Sequence, residues 1–226
     1  MSTAHRVSSE AAFFVNPFST KFVRPGSIPY RFPTGISQQG LVQSIRAAKR
    51  SLIVGAHGTG KSTLIETLID PLRESFPAVE RVQLHAAETR KPIDLIRHRS
   101  ANLQAVIEQQ ERLQQQAESG LLIVDGIEQL GRVGRTRVLA RAIRMQQFLM
   151  ATSHVEMIGM RCVYRTHVSA KLIRDLLDYL LADSSADVVQ RLEAAITDKK
   201  VSNVQDVRSF LFRMYDLAAN VHATNN

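Results

Sequence analysis

A chain of 226 residues, 44% of them hydrophobic, can bury one sizeable core and carry a small appendage, which excludes both a minimal stapled scaffold and a string of domains. Lys and Arg exceed Asp and Glu by 29 to 21, giving +8 and a pI near 10.1; the charge favours a polyanionic partner such as a nucleotide or nucleic acid, and a solvated basic surface gives the same balance. The single cysteine, Cys162, excludes a disulfide framework or a cysteine-based zinc site, and with no bilayer-length apolar run and only Ala11–Val15 at the start to set against a signal sequence, a cytoplasmic protein is expected, with no membrane partner.

Residues 1–40 predict an irregular arm. Asn16-Pro17, Pro25-Gly26, Ile28-Pro29, Phe32-Pro33 and Thr34-Gly35 break any helix or central strand. Interleaved with them are Phe13, Phe14, Phe18, Phe22, Tyr30 and Phe32, so the arm is expected to pack on the domain rather than to float. Gly40 to Ala48 reads as a helix with Leu41, Val42 and Ile45 on one face, and Ser51 to Val54 reads as a short buried strand.

That strand runs into Gly55-Ala56-His57-Gly58-Thr59-Gly60-Lys61-Ser62, which fits G-x-x-x-x-G-K-[ST], and Thr63 to Ile69 follows as a helix. A glycine-rich turn between a strand and a helix aims successive backbone N–H groups at one spot, and the helix dipole adds partial positive charge there. Residues 55–63, Thr63 included, are therefore a polyphosphate cradle, with Lys61 reaching the outer phosphates and Ser62 holding Mg²⁺. At this point the chain resembles the P-loop NTPases. In groups of that kind the segment before the first helix lies against the nucleotide base, which the resemblance extends to Tyr30 or Phe32; the alternative is that these rings only pin the arm. No N-K-x-D base-reading motif is present, so ATP is expected rather than GTP.

Asp70-Pro71 and Phe76-Pro77 mark breaks, and Val79 to His85 carries the next strand. A basic, proline-containing loop through Arg90, Lys91, Arg97 and Arg99 leads to a helix over about 101–118, in which Leu103, Val106, Ile107 and Leu113 make a stripe and six glutamines fill the solvated faces. Leu121-Leu122-Ile123-Val124-Asp125 is too uniformly apolar for a half-exposed strand and ends in a carboxylate. In a parallel sheet this delivers Asp125 to the edge where the phosphate loop lies, as a Walker B metal holder; an Asp that merely caps the next turn is the alternative. The order Asp125-Gly126-Ile127-Glu128-Gln129-Leu130 resembles the D-G-L-D-E-L form found in NACHT and related STAND NTPases, with Gln129 replacing a glutamate. The resemblance implies that Glu128 polarises the attacking water; a non-hydrolysing site follows if the acid lost at Gln129 was needed.

Gly131-Arg132-Val133-Gly134-Arg135-Thr136-Arg137 leads into a helix continuing through Arg141 and Arg144 to Met150, a span with five arginines and no acid. Three readings stay open for it: an arginine finger, an anionic-partner patch, or a solvated face. Val155 to Tyr164 is expected as the fourth strand, ending in Arg165-Thr166-His167, and the P-loop resemblance makes Thr166 and His167 candidate γ-phosphate sensors. Lys171 to Ala182 is an amphipathic helix, Asp183-Ser184-Ser185 a break, and two further helices over 187–197 and 203–219 resemble the small lid of AAA+ ATPases. Ser202-Asn203-Val204-Gln205 is similar to the lid motif G-[DN]-[VL]-R without its glycine and arginine; Arg208, one turn on, is a substitute on offer, and the preferred alternative is a packed helix without a sensor.

The expected class is α/β: an N-terminal arm (1–40), a three-layer P-loop NTPase core with a mainly parallel sheet (41–182), and a helical lid (183–226). The resemblance implies an ATPase of AAA+/STAND type that uses ATP and Mg²⁺ and couples nucleotide state to conformation or to assembly, with a homo-oligomer, another protein or a nucleic acid as partner. A nucleotide-gated module without hydrolysis, and a small-molecule kinase with an Arg-rich lid, are the rivals.

Overall fold

The computed structural model describes residues 16–24, 26–87, 91–184, 186–196, 201 and 203–223. In chain order these form α1 (Thr20–Val23), α2 (Gln38–Ala48), β1 (Arg50–Val54), α3 (Lys61–Ser75), β2 (Val79–Gln83), α4 (Pro92–Gln116), β3 (Leu121–Asp125), a 3-10 turn (Ile127–Leu130), α5 (Gly131–Arg144), β4 (Phe148–Ser153), β5 (Arg161–Arg165), α6 (Ala170–Leu181), α7 (Ala186–Ala195) and α8 (Val207–Ala223). Among the described residues no helix is long and apolar enough to cross a membrane.

The five strands make one parallel sheet in the order β2-β3-β4-β1-β5. Side chains alternate across a strand, and here both faces are covered, which is why the central strands read as unbroken apolar runs. Ile53, Leu121, Ile123 and Met150 pack with α2 and α3 through Leu41, Ile45, Leu64 and Leu68. Their neighbours Leu52, Leu122, Val124, Leu149 and Ala151 pack on the opposite face with Val106 and Leu113 of α4 and Val138 of α5. The mainly parallel three-layer core expected from the sequence is the observed one.

Three expectations about elements are corrected. The helix expected through Met150 ends at Arg144, and β4 follows it. The chain turns at Gln146, whose φ is +54°, and at the buried Gln147, whose amide donates to the Gln110 carbonyl. The strand expected over 155–164 is confined to β5, and 154–160 is a loop. The third correction concerns α4, which begins at Pro92 in the stretch read as a loop; proline suits a first helical turn, where no N–H partner is needed. Of its glutamines, Gln110 is fully buried and donates to the Val138 carbonyl rather than facing solvent.

A third cluster lies outside the sheet layers. It joins Ile173, Leu177, Leu180 and Leu181 of α6 to Leu192, Val204, Phe210, Leu211 and Met214, together with Phe18 and Ile28 of the arm. α6 thus shares its apolar cluster with the helices that follow it, and Asp183 and Ser184 lie in the link from α6 to α7. The arm is pinned to both clusters: Phe18 and Ile28 enter the lid cluster, whereas Tyr30 and Phe32 pack against the sheet cluster. Phe13 and Phe14 lie outside the described residues, as do Arg90 and Ser202.

Candidate nucleotide site

The order β2-β3-β4-β1-β5 places the carboxyl ends of β1, β3 and β4 side by side, so the turns after Val54, Asp125 and Ser153 share one edge. A cavity of about 580 Å³ opens there, lined by the phosphate loop, Asp125, Gly126, Glu128, Gln129, Thr152 and His154, and closed by the arm and the lid.

The loop is built around its glycines. A Cβ at Gly55 would lie 1.9 Å from Thr166 Oγ1 and 2.7 Å from Thr59 Oγ1, so only glycine lets these hydroxyls meet beneath the loop. Thr59 Oγ1 donates to the Ala56 carbonyl (2.9 Å) and pairs with Thr166 Oγ1 at 2.6 Å. Gly60 takes φ +90° immediately before α3 and offers no side-chain cap, which leaves the first N–H groups of that helix to face the cavity. Lys61 Nζ donates to the Gly55 and Ala56 carbonyls, both at 2.7 Å; burial lowers its pKa, against the opposing pull of Glu128 and Asp125. His57, Gly58, Thr59, Gly60, Lys61, Ser62 and Thr63 all line the cavity.

Asp125 is buried at the end of β3. Its Oδ1 accepts from Thr152 Oγ1 at 2.6 Å, and the same hydroxyl accepts from the Gly126 N–H at 2.8 Å. Asp125 therefore does not cap the 3-10 turn. Its Oδ2 lies 3.7 Å from Arg81 Nη2 and has no hydrogen-bond partner. A buried carboxylate oxygen with unused acceptor capacity, on the same cavity as the Ser62 hydroxyl, is a hard oxygen donor set that fits Mg²⁺, an ion that takes few protein ligands and fills its octahedron with phosphate and water. Among the described residues no group of three or more His, Cys, Asp or Glu side chains forms a metal cluster of the all-protein kind.

Glu128 sits on the 3-10 turn. Its Oε1 is 2.8 Å from His154 Nε2, and its Oε2 is buried without a partner. His154 follows β4 directly. Its Nδ1 is 3.1 Å from the Gly55 carbonyl and 3.5 Å from Lys61 Nζ, and its ring centroid lies 3.7 Å from that of His57 with the two planes tilted by 44°. Burial, then the neighbouring His154 and Lys61, lower the pKa of His57.

The expected sensors are placed differently. Thr166 is buried under the loop, and His167 is exposed; neither lines the cavity. The strand end that does reach the cavity between the two motifs is that of β4, which brings Thr152 and His154. Sequence reading missed both because it ran the preceding helix across Phe148-Leu149-Met150. The signal was present: a short apolar run after a polar turn, closing in Thr152-Ser153-His154.

The lid motif also shifts by three residues. Gln205 is exposed and does not line the cavity, whereas Asp206, Val207 and Arg208 do, and Gln205-Asp206-Val207-Arg208 matches G-[DN]-[VL]-R at all but its first position. Asp206 caps α8: its Oδ1 accepts from the Ser209 N–H (3.2 Å) and its Oδ2 from Ser209 Oγ (2.8 Å). Burial works against its charge, but the bonds from Ser209 and Arg208 and the Arg208 guanidinium outweigh that and hold the carboxyl below its ordinary pKa. The Val207 N–H donates to the Gly58 carbonyl at 3.1 Å, so the lid rests directly on the phosphate loop.

In the arm, Tyr30 lines the cavity and Phe32 does not. The Tyr30 N–H donates to Thr67 Oγ1 (2.9 Å), and its hydroxyl pairs with that of Tyr164 (3.2 Å); burial and this partner push the phenol pKa up. Of the five arginines on α5, none lines the cavity: Arg135 folds back on the Gly131 carbonyl, and Arg141 pairs with Glu111 at 3.0 Å.

No protein-family model matches this chain. No curated protein matches it either. Among solved structures, domain III of the replication initiation protein DnaA from Thermotoga maritima superposes with a TM-score of 0.53, covering 87% of this chain and 88% of that one at 13% identity. AMPPCP-bound DnaA from Aquifex aeolicus gives a TM-score of 0.50 over 82% of this chain and 62% of that one, at 13% identity. A DNA replication initiation factor gives 0.50 over 78% and 58%, at 12% identity. The chain thus spans about three-fifths of the length of the last two, and at these identities the likeness is one of fold. The fold, a five-stranded parallel α/β core of the P-loop type with a small helical lid, matches that of AAA+ domains.

Proposed function

We propose that the domain binds ATP with Mg²⁺ between the phosphate loop and the lid, hydrolyses it, and converts nucleotide state into a change of conformation or assembly. One observation carries this reading: Lys61, Asp125, Glu128 and the lid's Arg208 line a single cavity although they come from four separate elements. The Aquifex neighbour is AMPPCP-bound, which supports an adenine nucleotide here.

In this reading the N–H groups of residues 58–63 cradle the phosphates, and Lys61 leaves the Gly55 and Ala56 carbonyls for the outer phosphates. Ser62 and Asp125 would hold the metal, which when bound would neutralise charge on the transferred phosphoryl group. Glu128 orients and deprotonates the attacking water, and Arg208 brings a fixed positive charge from the lid. Ile28 and Leu172 form an apolar end of the cavity for the base, with the Tyr30 ring beside Gly60.

The test is a titration of the full chain with Mg·ATP and Mg·GTP, followed by phosphate release. Tight ATP binding, weaker GTP binding and loss of both in Lys61→Ala are expected, with the mutant folded because Lys61 lies at the cavity and not in the apolar core. Unchanged affinity in folded Lys61→Ala overturns the site. A non-hydrolysing, nucleotide-gated module is the second reading. The engagement of Glu128 by His154 favours it, and ATP that raises the melting temperature without releasing phosphate would establish it.

A further inference from the structure

We propose that the flank of α5 turned away from α4, together with the loop over 154–160, is a docking groove for an acidic amphipathic helix of a partner protein. Packing and charge carry it, independently of the ATP reading. Parallel strands are joined by crossovers of about a dozen residues or more, usually a helix laid over one face of the sheet. β1 reaches β2 through α3, β2 reaches β3 through α4, and β3 reaches β4 through α5. The connection from β4 to β5 has to pass over β1, which lies between them, and it does so in residues 154–160 without a helix.

On that face α4 packs against β2 and β3, and α5 against β4. Leu52 and Val54 of β1 and Cys162 of β5 share their cluster with Met157 and Met160 of the loop, so the helix layer stops at α5 and a loop stands where the next helix would lie. The flank of α5 bordering this gap follows from its contacts. Gly134 lies beside Leu103, the Val138 carbonyl accepts from Gln110, and Arg141 pairs with Glu111, which fixes the side that meets α4. Leu139 and Ile143 lie on the opposite side, one turn apart, with Arg132 and Thr136 continuing their row toward the amino end. Leu139 borders the loop, since a Cβ at Gly159 would lie 3.7 Å from its Cδ1.

Both walls of this groove show apolar side chains to solvent. Ile158 is fully exposed, Val155 is 60% exposed and Ile143 56%, beside two half-buried methionines whose unbranched side chains adapt to the shape of a partner. A trough between a helix and a loop fits the apolar stripe of one further helix. Charge decides which helix. α5 carries five arginines and no acid, and against the loop Arg50 Nε donates to the Gly159 carbonyl at 3.3 Å. The loop's one acid, Glu156, is already paired with Arg165. A helix with Glu or Asp beside its stripe meets cations on either side, whereas a basic helix is repelled.

The experiment uses the full chain with ¹³C-labelled Met and Ile methyl groups, and a synthetic helical peptide of Ala, Leu and Glu with its leucines on one face. The control peptide has Lys in place of every Glu. The acidic peptide is expected to shift the methyl signals of Ile143, Met157, Ile158 and Met160 and to leave those of Ile53 and Ile65, in the core on the other face of the sheet, unmoved. Replacing Val155 and Ile158 together by serine is expected to weaken binding at least about tenfold, and Arg132→Glu to weaken it about threefold and make it less salt-dependent. All three positions are exposed, so these variants keep the fold. Absence of shifts at those four residues, equal binding of the Lys peptide, or wild-type affinity in the double serine variant overturns the groove. So do the same shifts produced without peptide by raising the protein concentration, by an oligothymidylate strand, or by vesicles of phosphatidylcholine and phosphatidylserine, which assign the surface to a second copy, a nucleic acid or a membrane. No nucleotide enters these measurements, so the ATP reading is tested separately by the Lys61→Ala titration.

Discussion

Asp125 and Glu128 stand three residues apart and are asked to do different things, and their surroundings show why. Asp125 is oriented by Thr152 through one oxygen, while the other is buried, ion-paired with Arg81 at 3.7 Å and without a hydrogen bond, which leaves it acceptor capacity for a metal. Asp125→Ala is therefore expected to abolish the Mg²⁺-dependent part of nucleotide affinity, read by titration with and without a chelator. Glu128 touches His154 and no backbone of the phosphate loop, so Glu128→Gln is expected to spare affinity and lower turnover by about 10²-fold or more, the signature of a group acting in the transition state. Equal losses of binding in both variants would assign Glu128 to ground-state positioning. Lys61 and Asp125 were legible in the sequence because each belongs to a motif whose backbone context can be checked locally. Thr152 and His154 were overlooked although a short apolar run marks their strand, because the helix was extended across it; that β4 then lies between β1 and β3 only the fold shows.

At the scale of elements, core and lid meet where α8 touches the phosphate loop. A Cβ at Gly58 would lie 1.7 Å from Asp206 Oδ1, 2.4 Å from its Cγ and 3.2 Å from its Cα, and Gly58 sits at φ +66°. Glycine is needed here twice, for the loop's backbone and for the docked lid. Gly58→Ala is expected to lift α8 from the loop, measured as faster amide exchange at Val207, whose N–H donates to Gly58. Protection at Val207 equal to wild type would show that the lid does not depend on this contact. Asp206 adds a pH signature. Its pKa is lowered in the folded state, so its stabilising contribution is present above the unfolded value and is lost as pH falls through the folded one. Asp206→Asn is expected to flatten that acid limb in thermal melts while keeping most of the cap; an unaltered acid limb would remove Asp206 from the account. The lid motif was hard to register in the sequence because Asn203-Val204 and Asp206-Val207 both fit its middle; only the start of α8 at Val207 decides between them.

For the whole molecule, the strand–helix alternation from Ser51 onward and the uniform apolar runs made the parallel three-layer core readable, since burial on both faces leaves no polar face to alternate with. The packing of α6 was not readable, because it is as amphipathic as a core helix and only the contacts show that its apolar face meets Leu192 and Phe210 and not the sheet. The net charge of +8 also needs the fold to be interpreted. The candidate nucleotide cavity takes in Lys61 and Arg208, but α5 carries five arginines away from it, and the structure divides them: Arg135 and Arg141 are turned to partners on the protein, while Arg132, Arg137 and Arg144 are exposed on the outer face. If that face binds a single-stranded nucleic acid, each phosphate contact contributes about −0.7 to the slope of log K against log salt. Replacing Arg132, Arg137 and Arg144 together by alanine is then expected to flatten the slope by about 2, with ATP affinity unchanged because none of the three lines the nucleotide cavity. Replacing Arg135 and Arg141 instead is expected to leave the slope alone and to lower the melting temperature, since those two side chains hold α5 to itself and to α4. The measurement is fluorescence titration of a labelled single strand across a salt series. No binding even at low salt would make the outer face of α5 a solvated surface, and the excess charge a matter of solubility alone.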